Sequence, residues 1–116
     1  MKEREKMVKL ELKNLKEIEN EEVREGFVAF WKEKQLYVEE LFKNYDKDLT
    51  LEVIVDKSGK TYKISASLNL NSKKILTVEE GPVLMSVTEK LFSEFKKTMK
   101  RQKELERKDY LYKRKR

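Results

Sequence analysis

The distribution of apolar residues predicts an α+β protein. The expected architecture is a single βαβββα domain in which two helices pack on one face of a four-stranded sheet. Two periodicities carry that prediction. Apolar and polar residues alternate across Met7–Lys13, Leu49–Val55 and Tyr62–Leu70, as they do in half-buried strands. Two longer segments repeat their apolar residues at helical spacing instead. A chain of 116 residues has room for one modest core and not for two.

Residues 1–6 are charged and expected to be flexible, and the folded domain is expected over residues 7–108. In the first strand Val8, Leu10 and Leu12 share a side opposite Lys9, Glu11 and Lys13. Asn14–Glu19 connects, with Leu15 and Ile18 tucking under the fold. Asn20 has the chemistry of a helix N-cap, and Glu21 and Glu22 suit the positive end of a helix dipole. Val23, Phe27, Phe30, Trp31, Val38, Leu41, Phe42 and Tyr45 then form one broad stripe. This predicts a helix over Glu21–Tyr45, roughly 37 Å long at the standard rise. Gly26 weakens it. Lys34 falls inside the stripe, so either its amine snorkels to water or the helix bends between Lys32 and Leu36.

After Asp46-Lys47-Asp48 the second strand covers Leu49–Val55. Asp56–Lys60 reads as a hairpin loop with Gly59 at positive φ. Tyr62–Leu70 is the third strand, Asn71-Ser72-Lys73 the turn, and Lys74–Glu79 the fourth strand. Both faces of that last strand are partly apolar, so its inward face is open at this stage. Gly81-Pro82 opens the final helix, with Pro expected at the first helical position. Leu84, Val87, Leu91, Phe95 and Met99 form its buried stripe, and the helix is expected to reach about Lys108. Strands two to four form an antiparallel meander. The first helix carries strand one across to lie parallel to strand two.

Composition narrows the function classes. Charged residues make up 43% and apolar ones 38%, which suits a small domain with a heavily charged surface rather than a disordered chain. There is no cysteine, which fits a reducing cytoplasm. No apolar run approaches membrane-span length and no signal-peptide core opens the chain. There is no histidine, hence no ordinary proton shuttle near neutral pH. No acid–base pair is poised by spacing and no serine sits in an elbow motif, so no catalytic residue is assigned and no enzyme is expected.

The net positive charge is confined to one end. Lys96–Arg116 holds 11 Lys/Arg and 3 Asp/Glu, whereas the remainder holds 17 basic and 19 acidic residues. A cationic element on a near-neutral domain is an address for a polyanion. Projected at helical pitch, Lys96, Lys100, Lys103 and Arg107 fall on one flank of the apolar stripe. Lys90, Lys97, Arg101 and Lys108 fall on the other. Residues 109–116 form a basic tail in which Tyr110 and Tyr112 precede Lys113 and Arg114. Such ridges can hold a phosphate backbone without reading bases, and tyrosines beside cations can stack on unpaired bases. A solvated lysine-rich helix face explains the same charges without a ligand.

Other patterns point elsewhere only weakly. Ser58-Gly59-Lys60-Thr61 matches the end of a phosphate-binding loop, but Ile54 stands where that motif needs glycine and a strand follows instead of a helix. Asn20-Glu21-Glu22 is a helix start, and Glu79-Glu80 ends a strand. Neither has a His or Cys beside it, so no metal and no cofactor is assigned. Trp31 and the phenylalanines of the first helix have core spacing rather than that of a binding patch.

The segment Glu80–Lys103 resembles the signature of the ribosome hibernation-promoting factors, also called ribosome-associated inhibitor A or sigma-factor modulation proteins. In that family a strand ending in an acidic residue is followed by a short turn and a helix of three blocks. Leu84–Glu89 fills the first block, Ser93-Glu94-Phe95 the second, and Lys97, Met99, Lys100, Arg101 and Lys103 the basic third. The βαβββα order is similar too, over roughly residues 7–108. Glu94 stands where the family usually has lysine, Met85 replaces its tyrosine, and the first helix is longer by about two turns of helix.

The resemblance implies a protein that lodges in the small ribosomal subunit, between head and body. There it blocks messenger and transfer RNA binding under stress or in stationary phase. It implies ribosomal RNA as the partner, no membrane, no small-molecule substrate, and a short form that is monomeric off the ribosome. Lys90, Lys96, Lys97, Lys100, Arg101, Lys103, Arg107, Lys108, Lys113 and Arg114 are the candidate RNA contacts. Two other readings stand beside it: a general structured-RNA-binding α+β module, and a protein–protein domain using the open sheet face.

Overall fold

The computed structural model describes residues 8–43, 48–70 and 73–114, with side chains as far as Leu105. Its elements are β1 (Val8–Lys13), a short 3-10 turn (Leu15–Glu17), α1 (Glu21–Leu41), β2 (Leu49–Ser58), β3 (Thr61–Asn69), β4 (Lys74–Gly81) and α2 (Leu84–Arg114). The sheet order is β1-β2-β3-β4. β1 runs parallel to β2, with Val8 opposite Leu49, and β2, β3 and β4 pair antiparallel. This is the expected α+β fold. A parallel neighbour requires a crossover, and α1 supplies it.

Alternation decides which face each strand buries. Leu49, Leu51, Val53 and Val55 of β2 and Ile64, Ala66 and Leu68 of β3 are buried under the helices. Phe27, Trp31 and Val38 come down from α1, and Leu84, Val87, Leu91, Phe95 and Met99 from α2. The register Leu68 opposite Ile75 settles the ambiguous strand: Ile75 turns inward and is buried, while Leu76 and Val78 stand on the open face at 57% and 41% exposure. On that same face Lys13 donates to Glu52 at 2.7 Å. The hydrogen bond raises the Lys13 pKa and holds the Glu52 carboxyl below its ordinary value.

Several boundaries differ from the sequence expectation. α1 ends at Leu41, not Tyr45. Phe42 leaves helical dihedrals (φ −110°, ψ 27°) and buries its ring, and Tyr45 lies outside the described residues. At the other end the Asn20 side chain accepts from the Val23 amide at 3.0 Å, the expected N-cap. The helix is uninterrupted through Lys34, and the Lys34 amine reaches over the Phe30 and Phe92 rings, as expected of a snorkelling side chain. Ile18 is fully buried beneath the connector, and Asn14 takes a left-handed φ of 63° to start it, a conformation asparagine tolerates.

The expected loop Asp56–Lys60 is mostly strand. Asp56, Lys57 and Ser58 pair with Lys63, Tyr62 and Thr61, leaving a two-residue turn at Gly59-Lys60. Gly59 has φ 61° and Lys60 does not share it, the signature of a II′ hairpin turn. α2 begins at Leu84, two residues after Pro82. The Val87 amide donates to the Val83 carbonyl, so Val83 is the cap and Pro82 lies outside the helix rather than at its first position. The helix continues to Arg114 instead of stopping near Lys108, so the tail expected over residues 109–116 is largely helical. No glycine or proline follows Pro82 to end it.

Gly26 sits in α1 with nothing within 4 Å of where a Cβ would stand. Gly26→Ala is therefore expected to stabilise the protein by about 0.5–1 kcal/mol through helix propensity and a restricted unfolded chain. Urea unfolding monitored by circular dichroism checks it, as a rise in midpoint at constant slope.

Candidate nucleic-acid interface

α2 lies over β3 and β4 and carries its apolar stripe downward, so its charged flanks face α1 on one side and the β4 edge on the other. The seam with α1 is aromatic. Phe92 meets Phe30, Trp31 and Tyr37 edge-on, with ring centroids 6.1, 5.9 and 5.8 Å apart. Lysines roof this seam. The Lys34 amine stands 4.9 Å from the Phe30 centroid and 5.1 Å from that of Phe92. Lys96 from α2 stands 5.3 Å from the Tyr37 centroid. These are cation–π contacts that let the ammonium stay hydrated on one side.

The flank toward α1 is tied down at two points. Lys96 rests on Tyr37, and Lys103 donates to the Leu41 carbonyl at 2.6 Å. α1 has no basic residue in its last turn, so Lys103 brings the positive charge that suits the negative end of a helix. Lys100, between them, is exposed.

On the flank toward β4, Lys90 lies 3.8 Å from Glu79 and Lys97 lies 3.7 Å from Glu94. Both lysine side chains are 71% exposed. Pairs this exposed contribute little and yield readily to a competing anion. Arg101 is exposed, and among the described residues neither Arg101 nor Lys100 makes an ion pair.

The two expected ridges are thus unequal. Lys96 and Lys103 help to hold the helices together, and Lys90 is drawn toward the sheet. Lys97, Lys100 and Arg101 stand at i, i+3 and i+4, within one turn, as a solvent-facing cluster. α2 carries Arg107, Lys108, Lys113 and Arg114 on its last turns, but their side chains lie outside the described residues, as do those of Tyr110 and Tyr112.

Sequence reasoning did not place Lys34 at the site. Its position inside an apolar stripe was the available signal, since a cation there must cross to the rim of the core. Tyr37 was missed as well, because its lysine partner belongs to the other helix.

Nothing else among the described residues gathers chemistry. Among the described residues no group of three or more carboxylates could hold a metal ion. An open cleft of about 570 Å³ beside α1 is lined by Val8, Lys9, Leu10, Lys32, Gln35, Asp48, Leu49 and Thr50. It contains a single carboxylate and no nucleophile backed by a base. Among the described residues no helix is long and apolar enough to cross a membrane. Compared with protein-family models and with curated protein sequences, the chain matches none.

Proposed function

We propose that this protein is a ribosome-associated translation inhibitor that acts in the cytoplasm. It would bind ribosomal RNA in the decoding channel of the small subunit and exclude messenger and transfer RNA by volume. The reading rests above all on the exposed cluster Lys97-Lys100-Arg101 carried by a helix fixed rigidly to a sheet. A helix anchored by Leu91, Phe95 and Met99 presents its amines with little ordering left to lose on binding. Phosphate contacts of this kind need no base sequence. The resemblance of Glu80–Lys103 to the hibernation-promoting signature supplies the ribosome as the specific polyanion. The same three cations belong to the signature's basic block.

The proposed action breaks and forms no covalent bond, so it requires no catalytic residue and no cofactor. The test is sedimentation with purified small subunits in a sucrose gradient, with free duplex RNA as competitor. A ribosome-specific factor stays with the subunits when duplex is in excess, and its binding weakens steeply with salt. Displacement by equal masses of duplex RNA would instead assign a general structured-RNA module. Absence from the subunit fractions at low salt would end the proposal.

A further inference from the structure

The two edges of the sheet are protected differently. β1 is six residues long, and the Gln35 side chain donates to its Val8 carbonyl at 2.6 Å, so one end of that edge is already occupied. β4 is eight residues long and its register with β3 is unbroken from Lys74 to Gly81. It has no bulge and no proline, two of the devices that blunt an edge, and its charges are Lys74, Glu79 and Glu80.

The direction of its free backbone groups follows from the hairpin. The Leu70 amide donates to the Lys73 carbonyl at 2.9 Å, which makes that a hydrogen-bonded pair. Stepping by two along the ladder, Leu68/Ile75, Ala66/Thr77 and Ile64/Glu79 are then the bonded pairs. Lys74, Leu76, Val78 and Glu80 therefore turn their amides and carbonyls away from β3, toward the free edge. Their side chains share the open face of the sheet.

This edge complements itself. In an antiparallel pairing of two copies about a two-fold axis at Thr77, Lys74 falls opposite Glu80 of the copy and Leu76 opposite its Val78. Every outward backbone group in the overlap then meets one of matching kind. Opposite charges and apolar side chains placed directly across strands are the stabilising cross-strand pairs. Leu76 and Val78, at 57% and 41% exposure, would pack side by side across the seam. The self-matching pattern is what a two-fold interface requires.

We propose that β4 is a self-association edge, through which two copies of this chain form a continuous sheet. Where the family resemblance implies a monomer, the edge chemistry assigns a reversible dimer. The basic flank of α2 lies above the same strand, as the approach of Lys90 to Glu79 indicates. Pairing brings two such flanks together, and this like-charge contact keeps the association weak. The proposal is independent of the RNA reading.

Sedimentation velocity of the full chain from ~10 μM to ~1 mM, the range in which small interfaces associate, tests it. Wild type is expected to shift from monomer to dimer mass. Val78→Pro removes an outward amide that β3 does not use, and is expected to stay monomeric with an unchanged circular dichroism spectrum. Lys74→Glu and Glu80→Lys should each weaken dimerisation about tenfold, because each places like charges opposite at two symmetric positions. The double variant K74E/E80K should recover the wild-type constant. Wild type that remains monomeric throughout, or a double variant as weak as the singles, overturns the proposal.

Discussion

Replacing Lys97, Lys100 and Arg101 together with glutamate is expected to lower affinity for small ribosomal subunits by at least about 100-fold at low salt. The figure takes about 1 kcal/mol for each lost charge-assisted phosphate contact, and the introduced carboxylates add repulsion. The salt dependence should change as well. Each phosphate neutralised adds roughly 0.7–0.9 to the slope of log affinity against log salt, so the variant should lose about two units of slope. The three side chains are exposed and take no part in the core, so thermal melting should barely move. Lys103 is left out because its amine holds the Leu41 carbonyl, and removing it would mix stability with binding. The control is Lys9, Lys60 and Lys63 changed to glutamate. These are exposed residues outside α2, with the same change in net charge. Thermal melting of this triple shows whether the loss of the Lys9–Glu11 pair and the like charges set opposite Asp56 and Glu80 lower its stability. Equal loss in both triples would mean that bulk charge, and not this cluster, governs association. Unchanged pelleting of the α2 triple would refute the site.

The pattern that predicts the sheet is local, and so it was legible. Alternation in Leu49–Val55 and Tyr62–Leu70 registers directly as a buried face, because each strand residue looks at one side only. Helix ends were less legible. Phe42 continues the apolar period of α1 although its backbone has left the helix, since periodicity records where a side chain goes and not how the chain turns. The end of α2 failed in the opposite sense. Beyond Met99 only Leu105, Tyr110, Leu111 and Tyr112 interrupt a polar run, so the stripe fades while nothing breaks the helix. Asp56, Lys57 and Ser58 looked like loop because they are polar, yet they continue the ladder beyond the edge of the core.

The candidate site was legible in composition and illegible in arrangement. Counting lysines finds the basic element, and a helical projection sorts them into flanks. Neither tells that Lys96 meets Tyr37, that Lys103 reaches the end of α1, or that Lys90 faces Glu79. Those partners come from other elements, and only packing brings them together. The consequence bears on the proposed binding. Contacts with α1 and β4 take up part of the cationic surface, and they leave Lys97, Lys100 and Arg101 as the part with least to give up when an anion arrives.

Trp31→Ala is expected to cost about 3–5 kcal/mol of stability, the range for removing a large buried aromatic. That is a large share of the roughly 5–15 kcal/mol that holds a small domain folded. Trp31 is fully buried. It meets Phe27, Phe30 and Phe92 with centroids 6.3, 5.3 and 5.9 Å apart, each in an edge-on geometry. Such pairs add to the area term, and the seam through Phe92 is what joins α1 to α2. One term runs the other way: the indole nitrogen is buried and has no hydrogen-bond partner among the described residues. Trp31→Phe removes that orphan donor along with part of the ring volume, so its cost should be much smaller, about 1 kcal/mol. Urea unfolding by circular dichroism measures both. As the sole tryptophan, Trp31 also reports on itself. Its fluorescence in the wild type should be blue-shifted and resist acrylamide quenching until the protein unfolds. The pair of variants decides between core and binding patch: a core residue loses stability in proportion to the volume removed, and under the proposed function Trp31→Phe is expected to bind small subunits as the wild type does. If Trp31→Ala melted like wild type yet failed to bind, the α1 stripe would be a recognition surface, and the rigid wedge on which the α2 cluster depends would lose its foundation.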